Sequence, residues 1–160
     1  AESGYGEIFQ PQVFHRARNF HHPGRTGLGV SHHMVIPIVH AAEGAAGGGE
    51  RFSVEFKHSI NLSPVIDVYQ IEDGNIYVEE TIYYHFGAGV QTELNEGETL
   101  SYGEDGSMIV GNIHQLRNNV GYIVGTVYDH LLTVNGREIS LRDLCGKNAA
   151  VRFNYEWQLF

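Results

Sequence analysis

The sequence predicts an all-β protein, an antiparallel β-sandwich or open barrel carrying an extended Gly/His-rich N-terminal arm. Three observations predict it. Apolar and polar residues alternate at period two in several short runs, the pattern of half-buried strands. Asp-Gly and Asn-Gly pairs sit between such runs, where a two-residue hairpin turn needs positive φ at both central positions. No segment holds a helical period over three turns, and turn signals recur at roughly the spacing of sandwiches and barrels.

Residues 1–50 are read as the arm and residues 51–160 as the β-domain. The arm is rich in Gly and His, ends in the Gly-rich "EGAAGGGE", and has one short apolar run, Met34 to Val39. So little apolar surface does not offset the entropy of ordering the chain, so the arm is expected to dock, on its own β-domain or on a neighbouring chain.

The β-domain opens with "RFSVEFKHSI". Phe52, Val54, Phe56, His58 and Ile60 share one face there, and Ser53, Glu55, Lys57 and Ser59 share the other. Pro64 suits the first residue of the next strand, where its missing amide removes no ladder bond. "VIDVYQIEDGNIYVEETIYYHF" then reads as two strands turning at Asp73-Gly74. Gly87 and Gly89, flanking Ala88, suit a bulge or tight corner that other residues would strain. "LLTVNGREISL" turns at Asn135-Gly136, and "SLRDLCG" supplies one helical turn ending at Gly146. In the last strand Val151, Phe153, Tyr155, Trp157 and Leu159 alternate with polar residues and face the core.

The adjacent His58 and Ser59 raise the question of hydrolysis. A serine nucleophile needs its oxygen within hydrogen-bond reach of a histidine nitrogen, whereas neighbours on a strand project to opposite faces. There is also no Gly-x-Ser-x-Gly elbow. His58 is therefore read as a structural residue, forming a small buried polar network with Asp67 or His130, and no catalytic residue is assigned. A pocket for a carboxylate or a metal is the functional alternative at these positions.

Charge and composition remove other classes. The formal net charge is -9, and residues 61–110 hold ten Asp or Glu and no Lys or Arg, which argues against nucleic acid as a partner. No apolar run reaches the roughly 18 residues of a membrane-spanning helix. Cys145 is the only cysteine, so neither an intrachain disulfide nor a Cys-x-x-Cys centre forms, and no cofactor is implied. Six of the ten histidines (His15, His21, His22, His32, His33, His40) lie in the arm without His-x-x-x-His spacing in a helix, leaving metal or haem-iron ligation there open. The acidic "ELNEGETLSYGEDGS" lacks the spacing of a calcium loop. The opening Ala-Glu-Ser resembles what signal peptidase leaves, so a secreted, cell-surface or periplasmic location is expected.

The order "FKHSINLSPVIDVYQI", "FGAG", "DHLLTVNG" resembles an extracytoplasmic domain family encoded beside TAXI-type TRAP transporters, over about residues 50–157. The resemblance implies His58, Ser59, Pro64, Val65, Phe86, Gly87, Ala88, Gly89, His130 and Leu132 as signature positions. Asp67 stands where the family has Glu, Gln91 where it has Pro, and Asp129 where it has Asn. The family brings a fold and a compartment rather than a reaction. Two functions are therefore expected. One is a non-catalytic assembly subunit, a homo-oligomer or polymer whose arm anchors Phe9, Val13 and Phe14 in a neighbour; the other is an accessory or ligand-binding module serving a transporter.

Overall fold

The computed structural model describes residues 50–85 and 93–155, together with the backbone of two strands in the arm, β1 (Gln12–His15) and β2 (Ser31–Val35). The arm anchor Phe9 and the side chains of Val13 and Phe14 lie outside the described residues, as do Gly87 and Gly89. From Glu50 onward the elements are β3 (Glu50–Lys57), β4 (Pro64–Glu72), β5 (Asn75–Tyr83), β6 (Thr99–Tyr102), β7 (Met108–Gly111), β8 (Gln115–Leu116), β9 (Val120–Ile123), β10 (Leu131–Val134), β11 (Arg137–Ser140), α1 (Leu141–Cys145) and β12 (Ala150–Phe153).

The expected all-β architecture is present as two sheets. The larger runs β11-β10-β3-β4-β5-β7-β6 with antiparallel neighbours, and β8 pairs with β5 beside β7. The smaller runs β1-β2-β12-β9; its β12–β9 pair is antiparallel and its β12–β2 pair parallel. Both expected hairpins form. Asp73 and Gly74 have φ of 50° and 76°, and Asn135 and Gly136 have 51° and 70°, the two positive values that a type I′ turn requires. Pro64 is the first residue of β4, and α1 is the single turn read in "SLRDLCG", capped by the Ser140 side chain on the Asp143 amide and closed by Gly146.

Register carries one face of the larger sheet into the core. Phe52 and Val54 on β3 lie opposite Val134 and Leu132 on β10 and opposite Tyr69 and Asp67 on β4. The row continues through Thr81 on β5, opposite Asp67, to Val110 on β7 and Leu100 on β6. A shift in register between Val68 and Tyr69 keeps Val78 and Ile76 on this face as well. The β9–β12 pair covers part of it: Phe153 lies 5.5 Å from Phe52 between ring centroids, and Tyr122 lies 5.8 Å from Phe56. Val54, Leu132, Val124, Val151 and Leu141 are fully buried where the layers meet. Burial of each such side chain stabilises the fold by about 1.5–3 kcal/mol.

The predicted strand through His58 is shorter than expected. β3 ends at Lys57, opposite Pro64, and His58 opens a turn in which its amide donates to the Ser63 carbonyl at 2.9 Å and its carbonyl accepts from the Leu62 amide at 3.0 Å. Asn61 fixes that turn, its Oδ1 accepting from the amide and hydroxyl of Ser63. The alternating pattern runs on past Lys57 in sequence, but local hydrogen bonds end the ladder. The last strand is described to Phe153, with Val151 buried and Phe153 and Tyr155 half-buried as the alternation requires; Trp157 and Leu159 lie outside the described residues.

Candidate functional site

An apolar face with a carboxylate in its middle needs donors there, and Asp67 finds two. Thr81, directly opposite on β5, donates to Asp67 Oδ1 at 3.0 Å, and Tyr122, from the covering layer, donates to Oδ2 at 2.8 Å. The Tyr122 oxygen also lies 2.6 Å from the hydroxyl of Tyr69, two residues from Asp67 on the same face of β4. Because the Tyr122 proton goes to Asp67, the Tyr69 hydroxyl donates to Tyr122, giving a relay from Tyr69 through Tyr122 to the carboxylate. Each bond polarises the next in such a chain.

The electrostatics follow from the geometry. Burial first, and then the Asp67 charge, push the Tyr69 phenol up to about 12 from an ordinary 10.0. The same two causes raise Tyr122 further, with Tyr69 adding to them. Both phenols are thereby held neutral, as donors, through the whole ordinary pH range.

A second polar cluster stands beside the first. Asp129 Oδ1 accepts from the amides of His130 at 2.7 Å and Arg142 at 3.0 Å, and Oδ2 accepts from the Ser140 hydroxyl. Burial pushes this carboxyl up, but the bonds from Ser140, Arg142 and His130 outweigh it and hold the group below its usual range. The carboxylate thus ties the start of α1 to the strand entering β10. His130 is held at Nδ1, which accepts from the Gly125 amide at 3.2 Å, so that nitrogen carries no proton. Its ring stacks on Phe56 at 5.7 Å and meets Tyr122 edge-on at 5.7 Å, which joins the two clusters through Tyr122. Burial, and then the Arg142 charge against the opposing pull of Asp129, lower its pKa.

The residues singled out in the sequence therefore separate. Asp67 and His130 lie at one aromatic and polar centre between the layers. His58 lies outside it: its Nδ1 accepts from the Ile60 amide at 3.3 Å, a bond within its own turn, and Asp67 is engaged by Thr81 and Tyr122 instead. Ser59 is exposed in the same turn. Tyr69, Thr81 and Tyr122 are the members that the sequence does not single out, and Tyr122 is the one that links the layers. Its signal is the run Val120, Tyr122, Val124, an alternation too short to stand out.

Among the described residues no three His, Cys, Asp or Glu side chains gather as a metal would need. In the acidic loop, Glu98 is engaged by Asn95 and Asp105 by Ser107. Burial raises the Cys145 thiol, which leaves it a poor nucleophile. No helix among the described residues is long and apolar enough to cross a membrane.

The larger sheet also ends in an unguarded edge. Among the described residues β6 pairs with β7 alone, and all four of its residues are exposed. Leu100 and Tyr102, 43% and 63% exposed, sit opposite the buried Val110 and Met108 and so continue the core-facing row past the point where it is covered.

Residues 52–141 match the family described as a domain of unknown function (DUF1850), and the chain belongs to that family. The matched span includes the first polar cluster, all of the second but Arg142, the turn at His58 and the β6 edge. No curated protein and no solved structure matches the chain.

Proposed function

We propose that this chain is a non-catalytic extracytoplasmic assembly subunit whose N-terminal arm adds a strand to the β6 edge of a neighbouring copy. The observation that carries the reading is the character of that edge. Sheets normally blunt an open edge with charge, proline or a bulge. The opposite edge, β11, begins with exposed Arg137 and Glu138, whereas "TLSY" in β6 has no charge and leaves Leu100 and Tyr102 open on the core-facing side. An incoming strand satisfies the free backbone groups of β6 and covers those two side chains. Phe9, Val13 and Phe14 are the anchors the arm offers. β1, which holds Val13 and Phe14, pairs with β2 of its own chain and is the outer strand of the smaller sheet among the described residues, so it is its other edge that meets β6 of the neighbour. Repeated head-to-tail docking of this kind makes a ring or a filament.

The polar centre supports a scaffold in place of a catalyst. Asp67 and Asp129 each engage both carboxylate oxygens internally, and the neighbouring His58 turns its Nδ1 to the Ile60 amide and not to Ser59. The extracytoplasmic compartment follows from the family resemblance.

Light scattering and electron microscopy of the chain test this reading. Deleting residues 1–20, or replacing Leu100→Lys with Tyr102→Lys, leaves a folded β-domain by circular dichroism that no longer assembles. Assemblies that persist in both variants would overturn it. A second reading, an accessory or ligand-binding module serving a TRAP-type transporter, is favoured by the half-buried rings of Phe56, Tyr122 and His130, and predicts a monomer in the same experiment.

A further inference from the structure

Two neighbouring loops at one end of the sandwich present apolar side chains to solvent. The β3–β4 turn exposes Ile60 at 70% and Leu62 at 50%, and the β9–β10 loop exposes Val127 at 73% and Tyr128 at 37%. They belong to one surface, because Lys57, the last residue of β3, places its ammonium 4.7 Å from the centre of the Tyr128 ring.

Both loops are stiff. The first is closed by the His58 and Ser63 backbone bonds and by Asn61; the second is held by the Gly125 amide on His130 Nδ1. A side chain at Gly125 would run into the Tyr128 carbonyl, so that loop is as tight as its backbone allows. Leu62 is held at φ 55°, a left-handed conformation that costs a non-glycine residue energy, and its side chain is not buried in return. Such an arrangement presents apolar groups outward with little ordering left to lose on contact.

Charge indicates the partner. In a chain of net charge -9, the tips His58–Ser63 and Gly125–Tyr128 contain no acidic residue. Lys57 adjoins the first tip, and Lys147 precedes Asn148, whose amide bonds the Val124 carbonyl at the base of the second loop; the carboxylate that follows the second tip, Asp129, is engaged by three donors. Aliphatic tips, a tyrosine with a lysine over its ring, and flanking cations are the groups that a lipid interface accepts: alkyl chains below, ring and ammonium at the headgroups. We infer that this end of the molecule is a peripheral membrane-docking surface, in which Ile60, Leu62 and Val127 enter the interface of a bilayer and Lys57 and Tyr128 lie at the phosphates. It is separate from the β6 edge and does not depend on the assembly reading.

Vesicle flotation of the whole chain tests it, using phosphatidylcholine alone and equal parts of phosphatidylcholine and phosphatidylglycerol. The chain should float with both, more strongly with the anionic mixture. Ile60→Ser with Val127→Ser should lower partitioning at least about tenfold on both, and Lys57→Gln should reduce only the anionic preference. All three positions are surface positions, and circular dichroism confirms that the variants fold. A wild-type chain left in the soluble fraction with both vesicles, or a double variant that floats equally well, would overturn the inference. So would wild-type chains that ignore vesicles but self-associate through Ile60 and Val127, since the tips would then be a protein contact.

Discussion

Tyr122 joins the two layers by both of its properties, its ring packing against Phe56, His130 and Phe153 and its hydroxyl linking Tyr69 to Asp67. Replacing Tyr122→Phe keeps the ring and strands both hydroxyl-bonded partners in a desolvated place. The expected loss is about 1–3 kcal/mol of stability, read as a lower urea midpoint at unchanged slope. Titration gives a second test. The unfolded chain ionises Tyr69 at its ordinary 10.0, while the folded chain delays this to about 12. Unfolding then releases a proton that folding retains, so stability is full below pH 10 and falls as pH rises from there toward 12. Tyr69→Phe should lessen that alkaline fall and leave the share that Tyr122 contributes; an unchanged slope would mean that the Tyr69 phenol is not held neutral by the fold. How far this centre was legible depends on the residue. Asp67 and His130 stand out as polar residues within strand-like runs. Tyr122 does not, because its partner Asp67 lies 55 residues away, and alternation fixes a face without fixing what meets it. His58 misleads for the opposite reason: the pattern continues through it, but the Asn61 turn ends the ladder at Lys57.

At the scale of elements, turn chemistry was the most legible feature. Asp73-Gly74 and Asn135-Gly136 fix hairpins whose φ values match their residue types, and Pro64 and Gly146 mark a strand start and a helix end. Gly136 isolates the backbone contribution, since a Cβ placed there meets nothing within 4 Å. Gly136→Ala should therefore cost about 1–2 kcal/mol from left-handed strain alone, with the core packing and the denaturant slope unchanged. A neutral substitution would show that the turn relaxes to another type. The order of strands was not legible. β10 sits beside β3, and β7 separates β5 from β6, so the sheet places sequence-distant strands side by side. Short runs such as β6 and β8 carry too few residues for alternation to be seen, which is why the unguarded edge emerges only from register.

On the scale of the whole molecule, the two-layer β architecture and the acidic middle of the chain followed from composition and pattern, while the surfaces did not. The core-facing row of the larger sheet runs to Leu100 and Tyr102, both exposed, and among the described residues no strand pairs beyond them. The proposed assembly uses that edge. Hydrogen exchange at the backbone amides of Thr99–Tyr102 tests this most directly, comparing the assembled chain with the chain lacking residues 1–20. An added strand hydrogen-bonds the outward amides of β6, so the account predicts slow exchange there in the assembled chain and fast exchange once the arm is removed, with β4 protected equally in both. Equal exchange at β6 in the two samples, with assembly unchanged, would contradict it.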